Sequence, residues 1–284
     1  MQTPDIWFYN LNIYINNMPR IAFTIFGLDV FWYGVIIAIS VTCGYLVASR
    51  EARRTGQNPE LYSDLLLWVV PAGAIGARIY YILFSQDQGL GDFFSFRGGG
   101  LAFYGLIFGA LPVTYLFTKI KKMKLGIFVD TAIFGVVIGQ IIGRWGNFIN
   151  REAYGTFTNN IFAMRYRVDQ LVYLPHELIN TTIFVDGVEY IQVHPTFLYE
   201  SIFNFFLFLF LNFYKHKKAF NGELLMIYFI GYGTARAILE TLRTDSLMWG
   251  PLRTSVIVSI FFAIIGIVGI TIGRKFSKGR TFRK

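Results

Sequence analysis

The sequence is poor in charge, cysteine and histidine, and each shortage excludes a class of protein. Charged residues are only 15% of the chain, far below the quarter that is typical of soluble domains. The single cysteine, Cys43, excludes an intrachain disulfide. The three histidines, His176, His194 and His216, have no metal-ligand spacing, so we predict no metal site. The first residues lack the basic stretch of a cleavable signal peptide, and we expect none.

Apolar residues, in contrast, are abundant. They make up 54% of the 284 residues, and the mean hydropathy is +0.48. Long apolar runs of this kind indicate membrane spans. We predict an all-α polytopic membrane protein, a single membrane-embedded domain over residues 1–284 with seven transmembrane helices. The predicted spans are about 30–49, 61–83, 101–118, 127–142, 196–214, 224–239 and 255–272.

The net charge of +9 reflects membrane topology in this chain, and we predict no nucleic-acid partner. Every lysine lies between alternate apolar runs or in the C-terminal tail, all on one side of a seven-span protein. This positive-inside bias predicts an extracytoplasmic N-terminus and a cytoplasmic C-terminus in a bacterial inner membrane. The basic residues concerned are Arg50, Arg53, Arg54, Lys119, Lys121, Lys122, Lys124, Lys215, Lys217, Lys218, Arg274, Lys275, Lys278, Arg280, Arg283 and Lys284.

Two segments outside the apolar runs carry their own signals. Residues 151–195 are polar, and we predict that they form a small extracytoplasmic α+β head insert, too short for a core of its own. Within them, two β-branched runs flank Asp186-Gly187, which predicts a β-hairpin with a type I′ turn. Residues 1–29 are amphipathic, and we expect them to lie in the membrane interface.

Polar side chains crowd the end of the fourth apolar run, where residues 143–155 read GRWGNFINREAYG. Ionisable groups at this depth are costly unless they face a protein interior or a wet cavity. If the helix continues, Gln140, Arg144 and Asn147 share one face. The alternative is that Arg144 snorkels to head groups while the asparagines cap the helix end. We favour a functional site because Asn150 and Glu152 join the group.

A second polar stripe lies in the sixth run. Tyr232, Arg236, Glu240 and Arg243 are spaced four, four and three residues apart, which predicts one helix face. The alternative is a salt-bridge ladder near the outer surface, but Arg236 lies deeper and should face the interior. Guanidinium groups bind phosphate oxygens well, so an anionic lipid head group is the expected ligand. Glu200, just inside the fifth run, needs a cationic or hydrogen-bonding partner.

These motifs resemble those of the bacterial prolipoprotein diacylglyceryl transferases. Residues 143–155 match the family pattern G-R-x-G-N-F-x-N-x-E-x-x-G at every fixed position. Residues 194–200 are similar to its His-Pro-x-Gln-Leu-Tyr-Glu segment, except that Phe197 departs, and residues 232–240 to its Tyr-x-x-x-Arg-x-x-x-Glu arrangement. The resemblance implies transfer of diacylglycerol from phosphatidylglycerol to the lipobox cysteine of a prolipoprotein signal peptide at the bilayer. A thioether forms, glycerol phosphate leaves, and no cofactor is required.

The resemblance also implies residue roles. Tyr104 lies in residues 97–109, RGGGLAFYGLIFG, where many members have histidine, and Leu106 replaces a glycine. For Tyr104 and Tyr33 the alternative is an interfacial aromatic belt. The implied catalytic residues are Arg144, Arg236 and Tyr104. The implied substrate-binding residues are Tyr33, Asn147, Asn150, Glu152, Gly155, Tyr232, Glu240 and Arg243.

Two other functions remain open at this level. A polytopic lipid or anion transporter would also place arginine and glutamate within the membrane, but the chain has no internal repeat. A lipid-binding structural protein would share the arginines without the thiol chemistry. Arg78, in the second run, is as compatible with an interior pair or a lipid-phosphate contact as it is with snorkelling.

We predict the topology as follows. In a Cys43→Ser background, Asn160→Cys should react with an impermeant thiol reagent added to intact cells, whereas Lys218→Cys should react only after lysis. Labelling of Lys218→Cys in intact cells would reverse the orientation.

Overall fold

Long helices coincide with all the apolar runs in the part of the chain that the structure describes. The structure is a computed structural model that describes residues 3–84, 93, 103–244, 248–249 and 252–281. The long helices are α1 (Trp32–Arg54), α2 (Glu60–Phe84), α3 (Phe103–Ile120), α4 (Leu125–Asn150), α6 (Thr196–Tyr214), α7 (Glu223–Glu240) and α8 (Thr254–Thr281). A short helix, α5 (His176–Ile179), precedes α6.

Five of these helices, α1, α2, α4, α6 and α8, are long and apolar enough to cross a membrane. This confirms the mostly helical membrane class, while the number of seven spans stays a prediction. By its contacts the chain divides into two compact units. The first unit contains Met1–Val47 and Ala132–Lys284, and the second contains Ala48–Thr131.

In the first unit, α1 and α4 approach each other through small residues. The Ser40 hydroxyl donates a hydrogen bond of 2.8 Å to the carbonyl oxygen of Gly139. A methyl group at Gly139 or Gly143 would lie only 3.6 or 3.7 Å from that hydroxyl. The absence of side chains at Gly139 and Gly143 therefore lets α4 lie close to α1. Deeper along the bundle, an apolar core of Phe134, Val137, Leu207, Leu211 and Leu224 joins α4, α6 and α7.

A five-stranded antiparallel sheet, in the order β2-β1-β5-β7-β6, also belongs to the first unit. Its strands are β1 (Ile6–Phe8), β2 (Ile13–Ile15), β5 (Met164–Arg167), β6 (Ile183–Val185) and β7 (Val188–Val193). The predicted hairpin is confirmed: Val185 pairs with Val188 across Asp186 and Gly187, whose φ angles of 49° and 78° are those of a type I′ turn. Separate two-stranded ribbons are β3 (Ile21–Ile25) with β4 (Leu28–Phe31), and β8 (Met248–Trp249) with β9 (Leu252–Arg253).

The buried core of the sheet is shared by distant segments of the chain. Residues 1–29 contribute β1 and β2 to the sheet, and their location in the membrane interface stays a prediction. The insert does not form this core alone, because Ile6 and Phe8 of the N-terminal segment pack with the apolar residues of β5 and β7. The ends of two long helices close that core through Phe148 of α4 and Phe197 of α6. Partners from distant parts of the chain thus supply what the insert is too short to provide.

The second unit packs α2 against α3 through glycine. A methyl group at Gly76 would lie 2.9 Å from the backbone of Gly109, so the two helices are in backbone contact there. Arg78 is completely buried, and its Nε donates to the carbonyl oxygen of Phe93 at 3.2 Å. Its guanidinium also lies over the ring of Tyr81, 5.8 Å from the centroid. Of the two alternatives for Arg78, the structure supports interior pairing.

Candidate functional site

The fourth long helix continues past the predicted end at residue 142, as the site requires. α4 runs to Asn150, because Phe148 and Ile149 continue its apolar face into the core of the sheet. Gln140, Arg144 and Asn147 therefore share one face. Arg151 then adopts a left-handed conformation, with φ of 55°. The backbone N–H of Glu152 donates back to the carbonyl of Asn147 at 3.1 Å, as in a Schellman termination.

This termination places the Glu152 carboxylate over the polar face of α4. Its Oε1 accepts a hydrogen bond of 2.9 Å from Asn147 Nδ2 and a longer one of 3.5 Å from Asn150 Nδ2. The Asn147 Oδ1 in turn accepts from Arg144 Nη1 at 3.4 Å. The motif of residues 143–155 is thus one hydrogen-bonded chain of side chains that leads to Arg144.

Glu200 of α6 joins the two predicted arginines. Its Oε1 lies 2.6 Å from Arg144 Nη2, and its Oε2 lies 3.3 Å from Arg236 Nη1. The Tyr232 hydroxyl donates to Oε1 at 3.1 Å. The Glu200 side chain is only 4% exposed, whereas those of Arg144 and Arg236 are 21% and 15% exposed. One buried carboxylate therefore holds both guanidinium groups, which come from α4 and α7.

The far end of α7 continues the ionic network. Arg236 Nη2 lies 2.6 Å from Glu240 Oε2, one helical turn further on. The helix ends at Glu240, so the prediction that Arg243 shares its face is wrong. Arg243 instead forms a β-bridge with Gly155. Arg253 donates a hydrogen bond to the carbonyl of Arg243 at 3.1 Å, which ties this segment to the chain just before α8.

Gly155 lies where three segments meet. Its N–H donates to the carbonyl of His194 at 3.0 Å. A methyl group on Gly155 would lie 2.7 Å from His194 Cβ and 2.9 Å from the carbonyl oxygen of Leu242. A side chain does not fit there, so the structure gives this glycine a packing reason in addition to its predicted binding role. Burial lowers the pKa of His194, so the neutral imidazole is favoured at this junction.

Tyr33 and Tyr104, the two remaining predicted tyrosines, are described by the structure to different extents. Tyr33, in the first turn of α1, is 37% exposed, and its ring lies directly beside the backbone of Gly146 on α4. The structure therefore places Tyr33 beside the helix turn that carries Arg144 and Asn147. The backbone of Tyr104 lies in the first turn of α3, but its side chain lies outside the described part of the protein.

Sequence reasoning required a partner for Glu200 but did not anticipate its central position. It also missed Tyr228, which accepts a hydrogen bond of 2.7 Å from Gln140 Nε2 and stacks on Tyr232 with 5.3 Å between ring centroids. Another missed contact is the 2.9 Å hydrogen bond from the Ser201 hydroxyl to the Ile141 carbonyl, which fixes α6 against α4. The available signal was spacing: Gln140 precedes Arg144 by four residues, and Tyr228 precedes Tyr232 by four.

Apolar helices of membrane length that carry two arginines around one buried carboxylate define a class of helical membrane protein with a charged cluster in its interior. Residues 20–272 match the sequence model of the prolipoprotein diacylglyceryl transferase family, and the chain belongs to that family.

Curated relatives agree with that assignment. The chain is 42% identical over 255 residues to a phosphatidylglycerol–prolipoprotein diacylglyceryl transferase of Finegoldia magna, with 88% of this chain and 94% of that protein covered. Proteins with the same name are 41% identical over 254 residues in Clostridioides difficile and 38% identical over 264 residues in Listeria welshimeri. The alignment with the Clostridioides difficile protein covers 88% of this chain and 94% of that protein. The alignment with the Listeria welshimeri protein covers 92% of this chain and 91% of that protein.

We predict that Glu200→Gln destabilises the protein strongly. The amide keeps the shape but leaves two buried guanidinium groups without their shared counter-charge, and breaking a buried ion pair costs about 3–5 kcal/mol. The melting temperature of the purified protein in detergent should fall by several degrees. The exposed Glu177 of α5 offers the matched control, Glu177→Gln, with an expected melting temperature like that of the wild type. Equal melting temperatures for the two variants would contradict the central place of Glu200.

Proposed function

We propose that this chain transfers the diacylglyceryl group of phosphatidylglycerol to the thiol of the lipobox cysteine of a prolipoprotein. It is a transferase that acts in the first step of bacterial lipoprotein maturation. Family membership and the names of the relatives support the activity. The observation that carries the proposed site is the pair Arg144 and Arg236, held together on Glu200.

The reaction sets three chemical demands. The cysteine thiol must lose its proton, and nearby cations lower a thiol pKa from its ordinary value of about 8.5. The sulfur then bonds to the carbon of the diacylglyceryl group that carries the phosphate ester, while the bond from that carbon to the phosphate oxygen breaks. The electron pair remains on the departing glycerol phosphate. An enzyme promotes this step by holding fixed cationic donors where that negative charge develops.

Arg144 and Arg236 suit this electrostatic task. Each guanidinium carries five N–H donors in a planar fork, and the contacts with Glu200, Glu240 and Asn147 use only some of them. The donors that remain can bind the lipid phosphate in bidentate fashion. We assign both arginines to phosphate binding and to stabilisation of the leaving group. Glu200 acts as a positioning residue, because its two oxygens hold the two guanidinium groups at a set separation.

The surrounding residues are assigned to substrate binding on their contacts with this core. Asn147, Asn150 and Glu152 form the hydrogen-bonded chain that ends at Arg144. Tyr232 and Glu240 hold Glu200 and Arg236. Tyr33 lies beside the same turn of α4, and Gly155 pairs with Arg243 at its edge.

The proposed topology has seven spans, with the sheet outside the cytoplasm and the C-terminus inside. The basic segments between alternate helices support this orientation through the positive-inside bias. The arginine pair then lies toward the outer leaflet of the bacterial inner membrane. Phosphatidylglycerol enters from the bilayer, and the lipobox cysteine arrives on the exported signal peptide.

A purified-component assay tests the function. Protein, phosphatidylglycerol and a lipobox peptide are mixed, and the peptide mass should rise by one diacylglyceryl group. Arg144→Lys and Arg236→Lys keep the charge but lose the fork, so each should lose at least about tenfold in turnover. Arg167→Lys is the matched control, because this arginine pairs with Asp169 at the surface of the sheet and should retain full turnover. A lipid or anion transporter would leave the peptide mass unchanged.

Two results would contradict these assignments. The absence of any mass gain with folded wild-type protein would reject the transferase function. Turnover like that of the wild type in a lysine variant at normal protein level would remove that arginine from the mechanism.

For Tyr104 we predict a role in orienting or deprotonating the incoming thiol, on the basis of the family resemblance. Tyr104→Phe keeps the ring and removes the hydroxyl, and turnover should fall with little change in membrane level. Tyr104→His supplies the residue found in many relatives and should retain more activity than the phenylalanine variant. Full activity of Tyr104→Phe between pH 6 and 9 would instead leave Tyr104 as an interfacial anchor.

A further inference from the structure

A second polar layer lies one helical turn from the arginine site. α4 and α7 run in the direction opposite to α6. The residue four before Arg144 on α4 and the residue four before Tyr232 on α7 therefore lie at the same level of the bundle as the residue four after Glu200 on α6. These residues are Gln140, Tyr228 and Asn204. Two hydrogen bonds fix the register: Gln140 Nε2 to the Tyr228 hydroxyl, and the Ser201 hydroxyl to the carbonyl of Ile141.

This amide layer, defined as Gln140, Tyr228 and Asn204, contains polar atoms without partners. Asn204 is completely buried, and within the described residues neither its Nδ2 nor its Oδ1 has a hydrogen-bond partner. The Oε1 of Gln140 is also buried and without a partner in that part of the chain. The layer therefore presents one unused N–H₂ donor group and two unused amide oxygens.

Unpaired polar groups of this kind are costly, and native proteins rarely keep them without a reason. The apolar side chains that follow on the same helices, Leu207 and Leu211 of α6 and Val137 of α4, show that the bundle fills its interior with hydrocarbon elsewhere. By this register, the unpaired amides lie one helical turn from the charged site. A ligand that binds the arginines is the natural source of the missing hydrogen bonds.

We infer that the amide layer is a subsite for uncharged oxygen groups of the donor phospholipid next to its phosphate. The inference rests on the proposed transferase function and adds how the lipid is recognised beyond its charge. One helical turn is about 5.4 Å, so groups a few bonds from a phosphate held by Arg144 and Arg236 reach this layer. Asn204 Nδ2 donates to a lipid oxygen, and the free amide oxygens accept from a hydroxyl or a water molecule held with the lipid.

Two parts of phosphatidylglycerol carry such oxygens. The diacylglycerol part has ester carbonyls, which only accept hydrogen bonds. The glycerol head group has hydroxyls, which both donate and accept. Both sources share the recognition chemistry of a neutral oxygen close to the phosphate, and lipid analogues separate them.

The experiment compares three lipids with wild-type enzyme and the Asn204→Leu variant. The lipids are phosphatidylglycerol, its dialkyl ether analogue without ester carbonyls, and phosphatidylpropanol without head-group hydroxyls. Wild-type kcat/KM should favour phosphatidylglycerol over at least one analogue by about three- to tenfold, the range for one neutral hydrogen bond. Asn204→Leu should lose most of that preference by using phosphatidylglycerol less well.

Matched variants separate recognition from packing. Asn212→Leu makes the same substitution at an exposed position of α6 and should keep the wild-type preference. Gln140→Leu tests the second amide and replaces Asn204→Leu if the latter does not accumulate in the membrane. Melting temperatures are recorded for all variants, because an apolar residue at position 204 relieves the unpaired amide and should raise stability.

The outcomes are distinct. If the variant loses only the preference for phosphatidylglycerol over the ether analogue, the layer binds the ester carbonyls. If it loses only the preference for phosphatidylglycerol over phosphatidylpropanol, the layer binds the head group. The inference is overturned if the wild-type enzyme uses all three lipids equally. It is also overturned if the variants keep the wild-type lipid preference while their melting temperatures change, which is the result expected for amides that bind only water. Failure of wild-type enzyme to modify the peptide with any lipid would reject the proposed function itself.

Discussion

The carboxylate of Glu200 is a negative charge in the interior of an apolar helical bundle, and the site depends on how that charge is compensated. Removing an ion from water costs several kcal/mol even after relaxation, about what a well-formed ion pair can return. Glu200 therefore requires Arg144 on one oxygen and Arg236 on the other, with the Tyr232 hydroxyl as a further donor. This requirement sets α4, α6 and α7 in one register. The same contacts hold the two guanidinium forks in place, as the proposed binding of lipid phosphate requires.

The sheet and the site are built on the same helix ends. Phe148 lies one residue after Asn147 on α4, and Phe197 lies three residues before Glu200 on α6. Both aromatic rings are buried in the core of the sheet, 4.6 Å apart between centroids. The Tyr166 hydroxyl of β5 also donates to the carbonyl of Phe148 at 3.1 Å. Packing of the sheet thus fixes the ends of the two helices that carry Arg144 and Glu200.

The proposed chemistry follows from this rigidity. Direct transfer between two bound substrates needs positioned charges more than it needs a nucleophile of the enzyme. The buried carboxylate, the arginine pair and the hydrogen-bonded chain from Asn147 to Glu152 provide an arrangement of that kind. The amide layer one turn away extends it from charge recognition to recognition of the neutral part of the lipid.

Much of this protein was determined by the sequence alone. Apolar runs of span length and a low charge content indicated helical membrane structure, because hydrocarbon excludes unpaired charge and backbone alike. The β-branched runs around Asp186-Gly187 indicated a hairpin, because a two-residue type I′ turn favours such a dipeptide. Helical spacing placed Arg144 with Asn147, and Tyr232 with Arg236, on single faces. All these features depend on residues close together in the chain.

Only the tertiary structure decided the features that join distant segments. The partners of Glu200 come from positions 144, 232 and 236, and no local spacing relates them to residue 200. The core of the sheet takes Ile6 and Phe8 from the N-terminal segment, which by its own amphipathic pattern reads as an interfacial strip. The end of α7 at Glu240, which removes Arg243 from the predicted face, is coupled to the bridge with Gly155. Periodicity describes one element at a time, whereas burial and charge pairing depend on which elements meet.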